Sequence, residues 1–250
     1  MLTALYSAKG APGVTSSALV LAAVWSRPVV VIEADPTGGD LAYRCRAAGG
    51  GQLAASPNVL GLVAALRGER QTDVSEWAQP LACGVNVVAG VQSPAQARGI
   101  GDLWRRLAVT AAGANVDVIA DLGRIERTSP TMPLLTAADV RVPVLAASLD
   151  SIVHTRGHLL DVLVDGGRTL PLVLGKSRTV AADARDVDEV LAQGGVIAAP
   201  AAYLPLDHPG LSVIEGGASP AGRGRGSQLV RAARTVAGRV LESAGAEVPA

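Results

Sequence analysis

Short apolar runs alternate with longer stretches of helical periodicity along most of the chain, the pattern of βα units around a parallel sheet. Residues 2–6 predict a first strand and 15–25 a helix. Residues 28–32 predict a second strand whose Val-Val-Val-Ile run suits burial on both faces. Further strands are predicted at 85–88, 116–120, 142–146, 170–174 and 196–199, with helices at 59–67, 95–111, 151–164, 183–192 and 227–242. Gly49-Gly50-Gly51 marks a loop, and 216–226, rich in Gly, Pro and Arg, is expected to be a mobile one. No internal repeat and no long linker interrupts the pattern. The expected architecture is therefore α/β, a doubly wound and mostly parallel sheet with helices on both faces. It forms one domain over 1–245, followed by a short tail at 246–250.

Composition narrows the class. The chain is 49% hydrophobic, which raises the question of a membrane span, yet the longest uninterrupted apolar run is 18–25. That is far below the roughly 18 residues a spanning helix needs. With no charged segment leading into an apolar one at the start, a cytoplasmic location is expected, with peripheral contact at a membrane or the nucleoid left open. Cys45 and Cys83 have no metal-ligand set around them in sequence and read as ordinary thiols. His154 and His158 are spaced i, i+4 on a predicted helix without a third ligand, and read as a surface pair rather than a metal site.

Candidate chemistry lies at the predicted strand ends. After the first strand comes Ser7-Ala8-Lys9-Gly10-Ala11-Pro12-Gly13-Val14-Thr15-Ser16, where an α/β protein places a phosphate-binding loop. Measured against G-x-x-x-x-G-K-[ST], Gly13 and Thr15 fit, whereas Ala8 stands for the first glycine and Val14 for the lysine. After the second strand comes Glu33-Ala34-Asp35-Pro36-Thr37-Gly38-Gly39-Asp40, and after 116–120 comes Asp121-Leu122-Gly123-Arg124. Ligands of open α/β sheets bind outside the carboxyl ends of the strands, so all three motifs would face one crevice. Each has a plainer reading: a capped strand-to-helix turn, a turn initiator and a strand terminator.

The order of the three motifs resembles the MinD/ParA family of P-loop ATPases, with its variant loop K-G-G-x-G-K-[ST]-T, a D-x-D-P-type switch and a later apolar strand ending in Asp. Lys9, Gly10, Gly13, Thr15 and Ser16 match the loop, Asp35 and Pro36 the switch, and Asp121 the Walker B position. Leu149-Asp150, 171–174 and 202–207 fall where the family has its adenine-side elements, so the resemblance spans most of the chain. It looks closest to the divergent branch of septum-site and Tad-type pilus assembly proteins, the CpaE-like group.

The resemblance implies a SIMIBI-type P-loop fold with ATP and Mg²⁺ as cofactors. Residues 9–16 (Lys9, Gly10, Ala11, Pro12, Gly13, Val14, Thr15 and Ser16) would form the nucleotide site. Thr15 and Asp121 would hold the metal, the latter through water, and Asp35 would position the attacking water. Lys9 would reach across a homodimer to the partner's nucleotide. Glu33 stands conservatively for the first acid of the switch pair.

The departures weaken this machinery without dismantling it. Val14 forfeits a charged contact of roughly 1.5–3 kcal/mol, equivalent to one or two orders of magnitude in ATP affinity. Lys9 of a second subunit, or Arg124, is the cation the sequence offers instead. The implied function is a nucleotide-dependent dimeric switch that recruits an unidentified protein partner in positioning or assembly, such as chromosome partitioning, septum placement or pilus assembly, with slow or absent hydrolysis. The alternative is a pseudo-ATPase scaffold that does not bind nucleotide. Relatives use a basic surface on DNA or a C-terminal amphipathic helix on membranes. Here Arg223, Arg225, Arg231, Arg234 and Arg239 make the C-terminal end basic, but the stripe Leu229, Ala233, Val236 and Val240 reads as closing the core.

Overall fold

Strand β1 (Leu2–Ser7) has no exposed residue, and the apolar side chains of β2 (Val29–Glu33) and β5 (Asp117–Arg124) are nearly as enclosed. This is what strands covered by helices on both faces require. The computed structural model describes residues 1–10, 12–68, 72–162 and 168–245. Ala11, the last two residues of the predicted 151–164 helix and the tail at 246–250 lie outside these, as does the side chain of Arg223.

Among the described residues the chain forms a nine-stranded sheet ordered β3-β4-β2-β5-β1-β6-β8-β9, with β7 beside β6. The remaining strands are β3 (Gln79–Pro80), β4 (Asn86–Val88), β6 (Val140–Ala146), β7 (Arg168–Thr169), β8 (Leu172–Gly175) and β9 (Ala202–Pro205). All pairings are parallel except β3 with β4. Helices α1 (Val14–Ala23), α9 (His208–Glu215) and α10 (Gln228–Ser243) cover one face, and the short α2 (Leu41–Arg44) adds Leu41 to the same cluster. The opposite face carries α3 (Val59–Ala65), α4 (Pro94–Ile100), α5 (Leu103–Ala112), α6 (Met132–Ala137), α7 (Leu149–Val162) and α8 (Val180–Gln193). Residues of β1 divide accordingly: Leu2, Ala4 and Tyr6 face one core and Leu5 the other. The expected doubly wound architecture is thus what the chain adopts.

Several boundaries differ from the sequence pattern for physical reasons. The predicted 95–111 helix is two helices, because Gly101 takes a left-handed φ of 56° between α4 and α5. Trp104, 1% exposed, donates from Nε1 to the Ala97 carbonyl at 3.0 Å across that break. The predicted strand at 196–199 does not form: Ala199 donates to the Thr169 carbonyl at 2.8 Å, but Ile197 is 93% exposed, and the edge strand is β9 instead. Elements α2, α6, α9, β3 and β7 do not stand out in the sequence pattern, each being a residue pair or no more than about two helical turns. The 216–226 segment holds a 3₁₀ turn, Arg223–Gly226, after the end of α9.

On α10 the stripe Leu229, Ala233, Val236 and Val240 is buried against α1 and the sheet. Arg231, Arg234 and Arg239 donate to the carbonyls of Gly226, Pro220 and Ala201. His154 is exposed, whereas His158 turns inward onto the Tyr6 ring at a centroid distance of 5.6 Å. Burial lowers the His158 pKa, and among the described residues its Nε2 has no partner. Cys45 and Cys83 are free and buried. No helix among the described residues is long and apolar enough to cross a membrane.

Truncating Trp104 would open the largest buried side-chain volume of the α4–α5 face and orphan the Ala97 carbonyl. Trp104→Ala is expected to cost about 3–5 kcal/mol in urea unfolding followed by circular dichroism.

Candidate functional site

Polar groups enter the enclosed centre of the sheet at the carboxyl ends of β1, β2 and β5. There they border a cavity of about 600 Å³ whose wall includes Gly13, Thr15, Ser16, Asp35, Arg44 and Gly123. The loop after β1 leads into α1 through Gly13, which has φ 110° and provides no side-chain cap, so the first N–H groups of α1 are left for whatever occupies the cavity. A methyl at Gly13 would also stand 3.1 Å from Leu174 Cδ1. Gly10 has φ 70°, and its carbonyl accepts a hydrogen bond from Ser7 Oγ at 3.1 Å.

The sequence-predicted residues separate into those the fold gathers and those it does not. Thr15 hydrogen-bonds the Asp121 carboxyl, which also accepts the Gly123 N–H at 3.1 Å. Asp121 is 1% exposed, and burial, aided by the charges of Glu33 and Asp35, pushes its pKa up to about 7. Asp35 accepts both the N–H and the hydroxyl of Thr37, at 2.8 and 2.7 Å. Its Oδ2 lies where a methyl on Gly123 would be, 1.9 Å away, and Gly123 has φ 59°. The β1–β5 register shifts between Leu5 and Ser7, opposite 121–124. This irregularity carries β5 past its predicted end and sets Gly123 under Asp35.

Val14 borders the cavity but is only 5% exposed, and its side chain belongs to the core around α1. Lys9 is not in the cavity wall; its ammonium is 3.7 Å from Asp150 Oδ2. Pro12 borders a neighbouring cavity, and Ala11 is outside the described residues. Arg124 lines the main cavity with its guanidinium 2.8 Å from Glu126 Oε1.

Glu33 has a role its place in the motif did not suggest. One oxygen accepts the N–H groups of Asp40 and Leu41, each at 2.8 Å, and the other accepts that of Gly90 at 3.1 Å. It is 1% exposed, and burial raises its pKa despite these donors. The side chain therefore pins the start of α2 and the turn after β4 to the end of β2. A methyl on Gly39 or Gly90 would stand 2.8 or 3.0 Å from it, so both glycines let the backbone close around the carboxylate.

Sequence reasoning missed Arg44, Tyr43 and Gln92, which also line the cavity. Arg44 donates to Ser16 Oγ at 2.7 Å and, through Nε at 2.9 Å and also through Nη2, to Glu215. The available signal was a charged residue following the double glycine 38–39 at short range, but no motif names it.

A second cavity of about 340 Å³ adjoins the first, sharing Gly13 and Ser16; its wall is mostly apolar, with Leu174, Leu204, Leu206 and Leu211. No three acidic, imidazole or thiol side chains among the described residues converge on a metal site. That is compatible with Mg²⁺, which keeps waters and takes one or two protein ligands plus substrate phosphates.

No protein-family profile matches the chain, and comparison with curated protein sequences gives no match. Solved structures match over nearly the whole length. A ParA family ATPase from Chlorobium tepidum TLS superposes with a TM-score of 0.70 at 19% identity, over 94% of this chain and 96% of that one. The septum site-determining protein MinD from Pyrococcus horikoshii OT3, complexed with Mg-ADP, gives 0.73 at 14%, over 98% and 97%. A chain of the MinC:MinD cell division protein complex of Aquifex aeolicus gives 0.64 at 14%, over 100% of this chain and 98% of that one. The chain has the fold of the ParA and MinD P-loop ATPases. Identity this low shows shared architecture alone.

Two outcomes follow from this geometry. A carboxyl whose folded pKa lies above its unfolded value of about 3.9 stabilises fully below that value and loses its contribution as pH rises through about 7. Asn cannot lose a proton, so Asp121→Asn is expected to melt above wild type at pH 8, the gap closing towards pH 4 in thermal scans. Gly123→Ala should destabilise by more than about 1 kcal/mol through strain at positive φ and collision with Asp35. Gly123→Ala with Asp35→Ala should cost less than the sum of the single changes in a double-mutant cycle.

Proposed function

We propose that this protein is a Mg²⁺-nucleotide-dependent switch of the ParA/MinD type, acting over residues 1–245 as one domain and dimerising around ATP to recruit a protein partner. The observation that carries this reading is that Thr15 and Asp35, both in the wall of one cavity, act on the buried Asp121, Thr15 by a hydrogen bond and Asp35 by its charge. A buried carboxyl pushed up to about 7 beside two further acids is a poor structural element and a good ligand for a divalent cation. The oxygen donors suit Mg²⁺, with Thr15 and Asp121 as its protein ligands and nucleotide phosphates completing its shell. When bound, Mg²⁺ would neutralise charge on the phosphates.

The protein's own groups would do the rest. The free N–H groups at the start of α1 meet the phosphates, and the adjoining apolar cavity between α1 and Leu204–Leu211 takes the base. Asp35, held by Thr37 and seated on Gly123, orients the attacking water. Lys9, outside its own cavity and exposed, is free to exchange Asp150 for a second subunit's nucleotide. Turnover is slow, because the loop's own lysine is replaced by Val14. Placement in the CpaE-like branch, and a cytoplasmic location, belong to this proposal.

One observation favours the alternative, a scaffold that binds no nucleotide: Val14 is buried in the core, so the loop has been fitted to an apolar side chain. Calorimetry with Mg-ATP and Mg-ADP, with light scattering for mass, separates the two. Micromolar binding with conversion from monomer to dimer is expected; no binding at millimolar nucleotide with unchanged mass would leave the scaffold. Val14→Lys sharpens the contrast. Without nucleotide the variant should melt lower than wild type, since an ammonium replaces a buried valine. With Mg-ATP it should bind about tenfold tighter or better if the cavity takes phosphate.

A further inference from the structure

A polyphosphate entering this cavity meets an excess of negative charge. Asp35 and Asp40 line its wall, Asp121 is buried where both Asp35 and Glu33 act on its charge, and the loop position that would carry a lysine holds Val14. The α1 terminus supplies only partial positive charge, so a full cation is needed nearby. Three side chains are candidates. Lys9 is outside the wall and faces Asp150. Arg124 lines the wall but is half exposed and paired with Glu126, two residues along. Arg44 lines the wall and, among the described residues, is the one of the three whose side chain hydrogen-bonds a residue of the α1 terminus, Ser16, at 2.7 Å.

The placement of Arg44 is built in. Glu33 fixes the start of α2 through the Asp40 and Leu41 N–H groups, which delivers Arg44 one turn later at the end of that helix. Glu215, on α9, accepts from both Nε and Nη2 of the guanidinium, and its side chain is only 20% exposed. Held on that edge, Arg44 keeps Nη1 without a protein partner among the described residues, while its side chain forms part of the cavity wall.

We propose that Arg44 is the cation that meets the nucleotide's phosphates in place of the lysine absent at Val14, and that Glu215 is the residue that positions it. This rests on the nucleotide-binding reading above. Ser16 borders both the polar and the apolar cavity, so Arg44 stands where the phosphate chain joins the sugar, away from the Asp35 end. Its contact is therefore with a phosphate that ADP and ATP share.

The test is calorimetry of the full chain with Mg-ADP and Mg-ATP, with thermal unfolding in the absence of nucleotide as a check on folding. Arg44→Gln is expected to weaken both nucleotides by about tenfold or more and in the same proportion, and Arg44→Lys, which keeps the charge but not the planar fork, by less. Glu215→Gln keeps an acceptor for the guanidinium and removes a negative charge from the site, so both nucleotides should bind several-fold tighter. Wild-type affinity in Arg44→Gln, or a loss confined to ATP, would overturn the assignment. Should Arg44→Gln fail to fold, Glu215→Gln decides, and unchanged affinity there overturns the proposal. A wild-type protein that binds neither nucleotide defeats the nucleotide reading and this assignment together, whereas wild-type binding that is indifferent to Arg44 defeats this assignment alone.

Discussion

Strands covered on both faces leave charged side chains a place mainly at or near their ends, and that constraint shapes this molecule. β1 has no exposed residue, and β2 and β5 bury nearly all of theirs. Glu33 ends β2 and Asp121 lies in β5 where its register with β1 shifts, and each is 1% exposed. Desolvation makes them expensive as charges, so they are tied down by what lies within reach: three backbone N–H groups for Glu33, and the Thr15 hydroxyl with the Gly123 N–H for Asp121. The loops are organised by these bonds. The turn into α2 closes on Glu33, the strand β5 bulges beyond Asp121, and Gly123 opens the space in which Asp35 sits.

Among the described residues, three cations at or near the cavity each have an acidic partner of their own chain: Lys9 with Asp150, Arg44 with Glu215 and Arg124 with Glu126. The first and third are half exposed on both sides, and exposed pairs are worth at most about 1 kcal/mol. Such pairs exchange readily for a more highly charged anion. The Arg44–Glu215 pair is less exposed and makes two bonds to one oxygen, so it fixes geometry as well as balancing charge. The same cavity thus has mobile charges at its outer edge and one held charge beside the α1 terminus. With Val14 buried and Lys9 turned to Asp150, that terminus has no cation of its loop beside it.

Local pattern carried the architecture well. The double-sided Val-Val-Val-Ile strand, the alternation of strands with helices and the positions of three loops are written in nearest-neighbour chemistry, which periodicity reads directly. It failed where an element was only one or two turns long, as in α2 and α9, and where a single residue decided the outcome, as Gly101 does between α4 and α5. It failed also at 196–199, because an apolar run does not become a strand unless a neighbour offers it a free edge, and β9 occupies the edge of β8. At the site, residue identity pointed to Thr15, Asp35 and Asp121, since hydroxyl and carboxylate chemistry at strand ends is local information.

By itself, the sequence determined the class of fold, the central strands in their order along the chain and the loops that carry polar chemistry, because strand burial and turn formation depend on residues close in the chain. Only the tertiary structure decided which charges meet. Arg44 and Glu215 are 171 positions apart, and Glu33 and Gly90 are 57 apart. Their contact depends on the order in which strands lie side by side and on the face each helix covers, which local periodicity does not encode. The same holds for Val14, apolar in sequence, whose burial depends on the packing of α1 against the sheet, α9 and α10.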